Sequence, residues 1–417
     1  MADIKGFPAF RYNKARIGNM SDVITPPFDV IDAEQRAILG AKSPYNYAHL
    51  ILPEERDSLS KYEYSAKLFN QWIAEGIFKQ DDADSYYVLE QKFKGLDDKP
   101  HTRRGFFAAV KIPESGEEYI LGHERTFESK FQDRLRLMEA TGAQYGAVFL
   151  MYSDPKHELG FLFDPIASRD SDIAADTIDG VSLRVWRTST DPRVNDFFKD
   201  KTLYIADGHH RFRTAMAYRD HMRTLHGGDG KAPYDYVLVG LVEADDPGFL
   251  ICPAHRLLDA PEGFSLEQFL IDAQEWFDVQ TVEGDVLEHV NAANECTIGL
   301  QTKEGQKRVL VLRDIDRTKL LGEEHGPAWR DLDVSVLHGG ILEKLMGLDA
   351  NAMLVYEHDG KKALEMVKSG KKEMVFVLKG VTPRQLFACA DAREFMPQKS
   401  TYIFPKLPSG AAIHKVG

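Results

Sequence analysis

Short apolar runs with the composition of β-strands alternate along this chain with segments of helical periodicity. Two strand-like runs, 85–93 and 103–112, flank a polar connection, which is typical of a hairpin. Segment 61–78 repeats its apolar residues at three- and four-residue spacing, as an amphipathic helix does. Because strands and helices follow one another in mixed order, the sequence predicts a mixed α/β (α+β) fold and argues against a helical bundle.

The length of 417 residues corresponds to two or three domains. Turn-forming residues cluster at 259–263, and we therefore expect a boundary there. The prediction is a main α/β region over residues 1–260 and a C-terminal α+β region over residues 261–417. Because long connections separate the candidate functional segments, we expect the two regions to be interleaved.

The charge balance narrows the class of partner. Fifty-two Lys and Arg residues against sixty-five Asp and Glu residues give a formal net charge of −13. A chain of this charge repels the phosphate backbone on average, so we expect no nucleic-acid partner. A small anionic or phosphorylated substrate can still bind in a local cationic pocket.

Cysteine usage and hydropathy point to a reducing compartment. Cys252, Cys296 and Cys389 lie far apart and form no CxxC pair, which argues against a disulfide framework and against a thiolate zinc cluster. No apolar run approaches the ~20 residues of a membrane helix, and the first residues do not resemble a signal peptide. We therefore predict a cytoplasmic protein with no membrane partner; the sequence leaves the oligomeric state open.

The sharpest local pattern is Asp207-Gly208-His209-His210-Arg211, at the junction of a strand-like run and a helical segment. Gly208 permits a tight turn, which exposes the first N–H groups of the helix to an anion. Arg211 adds a guanidinium suited to phosphate, and the two imidazoles can act as acid or base. Asp207 can orient a histidine or hold a metal ion. The pattern predicts a catalytic and phosphate-binding turn, and the alternative is a capped turn without chemistry.

A zinc site is not expected at this turn. Neighbouring positions at the start of a helix point about 100° apart, so His209 and His210 are poorly placed to share one ion. The sequence also lacks HExxH or a comparable set of ligands. We predict no protein-bound metal.

A second polar segment, His123-Glu124-Arg125-Thr126, follows a strand-like run and combines a base, a carboxylate and a cation. Glu124 is a candidate catalytic base, or a partner for an ammonium group. His123 and Arg125 are candidates for substrate binding, Arg125 through a carboxylate or a second phosphate. The alternative is a solvated charged turn.

Near the C-terminus a small basic and hydroxyl cluster lies among prolines, and it comprises Lys399, Ser400, Thr401 and Lys406. Lys399 and Ser400 are candidate substrate-binding residues. We predict that this segment and the 123–126 segment fold back onto the 207–211 turn and form one pocket, because the turn alone offers no grip for an amino acid. The alternative is that the segment only anchors the C-terminus.

One motif has to be set aside. Asp314, Asp316 and Thr318 form the DxDxT string in which haloacid-dehalogenase-type phosphatases carry their nucleophile. Arg313 interrupts the preceding apolar run, and no later acidic pair is present for magnesium, so we interpret the string as chance. The signatures of P-loop proteins, Rossmann folds, protein kinases and α/β-hydrolases are missing from the sequence as well.

The order of several blocks resembles a bacterial and archaeal family, domain of unknown function 1015. The resemblance spans about residues 7–410. The blocks, in chain order, are PPFDVID, NYAHLILPE, GHERT, ADGHHRFRTAMAYRD, CPAHRLL, LDVSVLH and MPQKSTYIFPKLPSG.

The DGHHR turn also resembles the phosphate-binding turn of the ParB/sulfiredoxin fold, especially that of free serine kinases. This resemblance covers about thirty residues. It implies a ParB/sulfiredoxin-like core with additional elements before and after it. It also implies a phosphate site at Asp207, His209, His210 and Arg211, and a carboxylate base for which Glu124 is the candidate.

The function implied by this resemblance is phosphoryl transfer on L-serine or O-phosphoserine, in the direction of a kinase or of a phosphoserine phosphatase, within serine metabolism. The cofactors expected for such an enzyme are a nucleotide and Mg²⁺. The alternative is a nucleotide- or small-ligand-binding regulator without catalysis, because one fold often hosts both roles.

Overall fold

In the computed structural model, which describes residues 1–56, 58–348 and 353–417, the chain divides into two compact units. The first unit comprises Met1–Leu250 and Pro405–Gly417, and the second comprises Ile251–Phe404. The sequence-based division differs, because it set the boundary at residue 260 and gave the whole C-terminus to the second region. The last residues belong to the first unit because they pair with its strands.

The strands of the described chain are, in order, β1 (Ile4–Lys5), β2 (Phe10–Tyr12), β3 (Phe78–Gln80), β4 (Ser85–Lys94), β5 (Pro100–Lys111), β6 (Ile120–Leu121), β7 (Ala143–Gln144), β8 (Val148–Tyr152), β9 (Ile173–Asp176), β10 (Ser182–Ser189), β11 (Leu203–Asp207), β12 (Tyr236–Glu243), β13 (Leu250–Cys252), β14 (His255–Leu258), β15 (Phe277–Thr281), β16 (Thr297–Thr302), β17 (Lys307–Leu312), β18 (Val355–Glu357), β19 (Met374–Val377), β20 (Tyr402–Phe404) and β21 (His414–Lys415).

The α-helices of the described chain are α1 (Ala33–Lys42), α2 (Ala48–Ile51), α3 (Lys61–Ala74), α4 (Glu128–Thr141), α5 (Gly160–Phe163), α6 (Pro192–Phe198), α7 (His209–His226), α8 (Leu266–Ala273), α9 (Val286–Ala292), α10 (Arg317–Leu321), α11 (Pro327–Arg330), α12 (Asp333–Ser335), α13 (Gly360–Lys368) and α14 (Pro383–Asp391). A π-helix, Val336–Leu345, continues directly from α12.

The described strands of the first unit form a mixed sheet in the order β6-β11-β8-β12-β5-β4-β10-β9, and β1 pairs with β5. Neighbours are antiparallel except the pairs β6–β11 and β8–β12, which are parallel. Strand β11, which leads into the DGHHR turn, therefore lies between β6 and β8. Two short antiparallel pairs, β2–β3 and β7–β21, complete the unit.

The second unit is built on a sheet of described strands in the order β15-β17-β16-β19-β14-β18, and all of its pairs are antiparallel. Helices α9 and α13 contribute to its core through Val286, Val290, Ala363 and Val367. Strands β13 and β20 pair where the chain enters and leaves this unit. With helices and a mixed sheet in one unit and an antiparallel sheet in the other, the predicted mixed α/β (α+β) fold is confirmed.

Local sequence signals account for several element boundaries. Strands β4 and β5 form the predicted hairpin. Asp32 caps α1 in a capping box, its side chain accepting from the N–H of Gln35 while the Gln35 side chain accepts from the Asp32 N–H. The helix predicted over 61–78 ends earlier, at Ala74, because the chain turns through Gly76 with φ of 71° and continues as β3.

Helix α7 packs against α4 and against strands β8 and β12. Ala215 is fully buried in the main core of the first unit, and Phe212 and Met216 pack against that core. This contact fixes the start of α7 at the end of β11. Within the described residues, no helix combines the length and apolar character that a membrane span requires.

Two buried side chains hold the returning C-terminal segment to strands β4 and β5. Gln91 donates through Nε2 to the carbonyl oxygen of Lys406 (2.9 Å), and Arg103 donates to the carbonyl oxygen of Pro405 (2.5 Å). Arg103 also donates to Oε1 of Gln91 (2.6 Å), and burial lowers its pKa to about 9. The position of residues 405 and 406 is therefore set by a buried polar network.

Arg103→Met is expected to lower the free energy of unfolding of the first unit by about 2–4 kcal/mol. The substitution leaves the buried oxygens of Gln91 and Pro405 without their donor. Lys94→Met serves as the control, since Lys94 and its partner Asp98 are both exposed, and such pairs contribute about 0–1 kcal/mol. Urea unfolding, monitored by hydrogen exchange of peptides from β4 and β5, measures the free energy of unfolding of the two variants. An equal decrease in both variants would contradict the role given to Arg103.

Candidate functional site

The DGHHR segment forms the predicted junction between a strand and a helix. Strand β11 ends at Asp207, Gly208 adopts the left-handed conformation with φ of 93° and ψ of 28°, and α7 begins at His209. No side chain among the described residues caps this helix, and its first backbone hydrogen bond joins the N–H of Phe212 to the carbonyl of Gly208 (2.9 Å). The first turn of α7 thus offers the N–H groups and the dipole that favour an anion.

Gly208 is required here for two reasons. Its positive φ is unfavourable for residues with a Cβ atom. A Cβ built at this position would also lie 3.0 Å from the guanidinium carbon of Arg211. The glycine therefore allows the close approach of Arg211 to the turn.

The carboxylate of Asp207 lies between two cations. Lys406 Nζ donates to its Oδ1 (2.5 Å), and Arg211 Nη2 donates to its Oδ2 (2.5 Å). Burial alone would raise the pKa of the Asp207 carboxyl, but the charges of Lys406 and Arg211 outweigh burial and hold this pKa well below its ordinary value. Asp207 is therefore an anion at any physiological pH and is poorly suited to act as a proton acceptor.

Both terminal nitrogens of Arg211 contact protein atoms. Nη2 binds Asp207, and Nη1 donates to the carbonyl oxygen of Ala147. Nη2 also lies 3.9 Å from Oδ2 of Asp29. The sequence predicted that the Arg211 guanidinium binds phosphate directly. In the structure its terminal nitrogens instead stabilise the turn by hydrogen bonds, and its positive charge lies beside the turn.

Lys406 is the site residue that the sequence did not identify as a partner of Asp207. Its side chain is about 10% exposed and reaches Asp207 across 199 positions of sequence. Its presence in the basic C-terminal cluster was the available signal. The hydrogen bonds from Gln91 and Arg103 to the backbone of residues 405 and 406 position it.

The ring of buried His123 and the ring of half-buried His209 contact each other edge to face. The rings of His123 and His209 have centroids 4.8 Å apart and planes at 86°, and the backbone N–H of His123 donates to Nε2 of His209 (3.2 Å). Burial lowers the pKa of His123 to about 4 and holds the pKa of His209 well below its ordinary value. A neutral His209 that accepts at Nε2 carries its proton on Nδ1.

The carboxylate of Glu124 lies near this nitrogen. Its Oε2 lies 4.0 Å from Nδ1 of His209, and its side chain is about 29% exposed. The distance is too long for a direct hydrogen bond but short enough for an electrostatic contact. The structure therefore places Glu124 beside His209 of the DGHHR turn.

His210 contacts Phe127, the residue that follows the 123–126 segment. Its Nε2 accepts a hydrogen bond from the N–H of Phe127 (2.8 Å), and its ring stacks on the Phe127 ring at 6.0 Å and 12°. Burial and the nearby charge of Lys130 lower its pKa. His210 is thus held as a neutral ring with its proton on Nδ1.

The other predicted residues are Arg125, Lys399 and Ser400. Arg125 is exposed at the 123–126 turn. Lys399 and Ser400 belong to the second unit, where the carbonyl of Lys399 accepts from Arg256 (3.2 Å) and buried Ser400 donates to the carbonyl of Pro397. The pocket predicted to unite all three segments stays a prediction for Lys399 and Ser400.

The donors at the turn do not suit a magnesium ion. Each oxygen of Asp207 already accepts from a cation, and the positive charges of Lys406 and Arg211 oppose a metal ion at this carboxylate. Among the described residues, no group of three or more His, Cys, Asp or Glu side chains is arranged to hold a metal. A phosphate group fits the uncapped start of α7 better than a cation does.

The chain belongs to the family described as "Protein of unknown function (DUF1015)", whose match covers residues 4–335. No curated protein matches its sequence. The family is therefore established from the sequence.

Several solved structures are similar to this one at low identity. A conserved hypothetical protein from Pyrococcus furiosus is 12% identical, with 70% of this chain and 90% of that chain covered and a TM-score of 0.34. A free serine kinase in complex with AMP is also 12% identical, with 68% and 83% covered and a TM-score of 0.34. SbnI from Staphylococcus aureus, with a C-terminal truncation, is 11% identical, with 72% and 84% covered and a TM-score of 0.36. The activity therefore has to be inferred from the geometry of the turn.

The buried histidine His123 predicts acid sensitivity. Because its folded pKa of about 4 lies below the unfolded value near 6.5, its contribution to stability is complete above pH ~6.5 and is lost as the pH falls toward 4. His123→Gln is expected to flatten the loss of unfolding free energy over this range by up to about 3 kcal/mol. Unfolding measured from pH 7.5 to 4 tests this, with exposed His226→Gln as the control; parallel profiles for wild type and His123→Gln would contradict it.

Proposed function

We propose that this protein is a phosphoryl-transfer enzyme that acts on L-serine or O-phosphoserine, as a kinase or as a phosphoserine phosphatase. The observation that carries the proposal is the uncapped start of α7 with the carboxylate of Glu124 beside it. The resemblance of the DGHHR segment to the phosphate-binding turn of free serine kinases supports the choice of substrate.

The phosphoryl group binds at the first turn of α7. The N–H groups of residues 208–211 and the helix dipole favour negative charge there. Lys406 and Arg211 place two positive charges next to the helix start, where Asp207 pairs with both and Asp29 lies 3.9 Å from Arg211. Charge of this kind stabilises the equatorial oxygens of a phosphoryl group during transfer.

Glu124 acts as the general base. In the kinase direction the serine hydroxyl oxygen forms a bond to the terminal phosphorus of the nucleotide, the bond from phosphorus to the leaving oxygen breaks, and the hydroxyl proton passes to Glu124. In the phosphatase direction a water oxygen forms the bond to the phosphorus of O-phosphoserine and passes a proton to Glu124. The bond from phosphorus to the serine oxygen breaks, that oxygen takes the proton back from Glu124, and serine and phosphate leave. The proton on Nδ1 of His209 faces Glu124 and orients its carboxylate.

The amino acid is held by groups at the edge of the turn. Arg125, exposed beside Glu124, pairs with the substrate carboxylate. His210 presents its Nδ1 proton as a donor because its Nε2 is already occupied by the N–H of Phe127. The nucleotide is the phosphoryl donor in the kinase direction, and no step requires a metal ion bound by the protein.

A ligand-binding regulator without catalysis is the second candidate. It is favoured by one observation, which is that Asp207 and both terminal nitrogens of Arg211 already have protein partners. A turn of this kind can bind a phosphate without performing chemistry. Both functions predict that the protein binds a phosphorylated ligand, and only the enzyme predicts that it converts the ligand to product.

Glu124→Gln is expected to lower turnover at least about 100-fold while binding of O-phosphoserine stays within about threefold, because the amide keeps its size but cannot accept the proton. The matched control is Glu128→Gln, a more exposed carboxylate four positions away that pairs with Arg213. The assay follows serine, O-phosphoserine and free phosphate by ³¹P NMR with several nucleotides, with and without Mg²⁺.

Turnover by wild type and by Glu128→Gln, together with its loss in Glu124→Gln, supports the proposed base. Binding of O-phosphoserine or nucleotide without turnover in wild type would instead establish the regulator. Absence of both binding and turnover for every compound would contradict both functions.

A further inference from the structure

An exposed aromatic ring, that of Phe127, lies beside the DGHHR turn within the first unit. Phe127 is 51% exposed and directly follows the 123–126 segment. Its backbone N–H donates to Nε2 of His210 (2.8 Å), and the two rings are stacked, with centroids 6.0 Å apart and planes at 12°. The ring is therefore held in one orientation at the turn, while much of its surface stays open to solvent.

The position of Phe127 in its helix indicates a role other than folding. Phe127 is the N-cap residue of α4, with φ of −91° and ψ of 133°, and its carbonyl accepts the first hydrogen bond of that helix, from the N–H of Phe131 (3.1 Å). Ser, Thr, Asp and Asn are preferred at N-caps because their side chains accept from the helix N–H groups, which a phenyl ring cannot do. Single exposed apolar residues are common on protein surfaces. An exposed ring at a position that favours a polar cap is instead a local inconsistency of the kind expected at functional sites.

The charges around the ring favour a small anionic ligand over an apolar protein surface. Lys130 is exposed, and burial together with the positive charge of Lys130 lowers the pKa of His210, so this lysine lies close to the stacked rings. The carboxylate next to Phe127 in the sequence, that of Glu128, is already paired with Arg213 (2.6 Å). An apolar partner that covered the ring would remove these charges from water at a cost. A flat ring that carries a phosphate group gains from the aromatic face and from the positive charge together.

We propose that the open face of the Phe127 ring stacks on the base of a nucleotide, one phosphate group of which lies at the start of α7. The assignment rests on the proposed function, and it favours the kinase direction, in which a nucleotide donates the phosphoryl group. His210 connects the two parts of this ligand site, since it belongs to the first turn of α7 and its ring is stacked on Phe127. Stacking recognises the aromatic face that every base has, so we expect nucleotides with different bases to bind.

The test compares AMP with ribose 5-phosphate, which lacks the base, and uses O-phosphoserine to report on the phosphate position. Calorimetric titration of the full chain is expected to show tighter binding of AMP than of ribose 5-phosphate. Phe127→Leu keeps an apolar side chain and the backbone N–H that binds His210, but it removes the aromatic face. In this variant AMP is expected to lose about five- to 50-fold in affinity, while ribose 5-phosphate and O-phosphoserine change less than about twofold.

Two further variants serve as controls. Phe127→Trp keeps an aromatic face, so AMP affinity is expected to stay within about twofold of wild type or to rise. The emission of the introduced tryptophan, measured as the difference from wild type, is expected to change with AMP and not with ribose 5-phosphate. Phe395→Leu replaces another exposed aromatic residue, 46% exposed and located in the second unit, and is expected to leave the affinities of all three ligands unchanged.

Loss of AMP affinity in Phe127→Leu, with recovery in Phe127→Trp, supports the proposal. An unchanged AMP affinity in Phe127→Leu would overturn it, and so would an equal loss for AMP and ribose 5-phosphate, because Phe127 would then only support the phosphate-binding turn. Binding of O-phosphoserine without binding of AMP in wild type would also overturn it, and would leave the phosphatase direction of the proposed function in place. Absence of binding for all three ligands would contradict the proposed function, and this assignment with it.

Discussion

The site depends on one interaction, the pairing of the Asp207 carboxylate with both Lys406 and Arg211. Lys406 and Arg211 pair with its two oxygens, and they follow Asp207 in the chain by 199 and by four positions. The Asp207 side chain is 16% exposed, and removing a carboxylate and two cations this far from water costs desolvation that offsets their attraction. Such a cluster is therefore better explained by the segments that it positions than by its contribution to stability. Here it closes the C-terminal segment onto the end of β11 and fixes the direction in which α7 starts.

Burial controls the protonation of the other site groups. His123 and His209 are kept neutral because charged imidazoles would lose their hydration, and the backbone contact at Nε2 places the His209 proton on the side of Glu124. The site therefore combines fixed positive charge at the helix start with neutral histidines and one partly exposed carboxylate. This division of roles suits phosphate binding with proton transfer to Glu124.

Local features of the site could be predicted from the sequence, because their causes lie within a few residues. Gly208 at the end of an apolar run predicted the strand–helix junction. The expectation that Glu124 lies near this junction had a different basis, which was the need of an amino-acid substrate for further polar contacts. The pairing of Lys406 with Asp207 could not be predicted, since it depends on the buried hydrogen bonds that hold the C-terminal segment against strands β4 and β5. The hydrogen bond from Arg211 to the backbone carbonyl of Ala147 could not be predicted either, because every residue has such a carbonyl and the sequence does not show which one is near.

The central claim is that the start of α7 binds a phosphate group, and amide chemical shifts test it most directly. In a ²H,¹⁵N-labelled chain titrated with O-phosphoserine, the account predicts that the largest and saturable amide shifts occur at Gly208, His209, His210 and Arg211, because these N–H groups donate to the phosphate oxygens. L-serine, which lacks the phosphate, should leave these four amides nearly unchanged. Saturable shifts centred on another part of the chain, or no shifts at residues 208–211, would contradict the account.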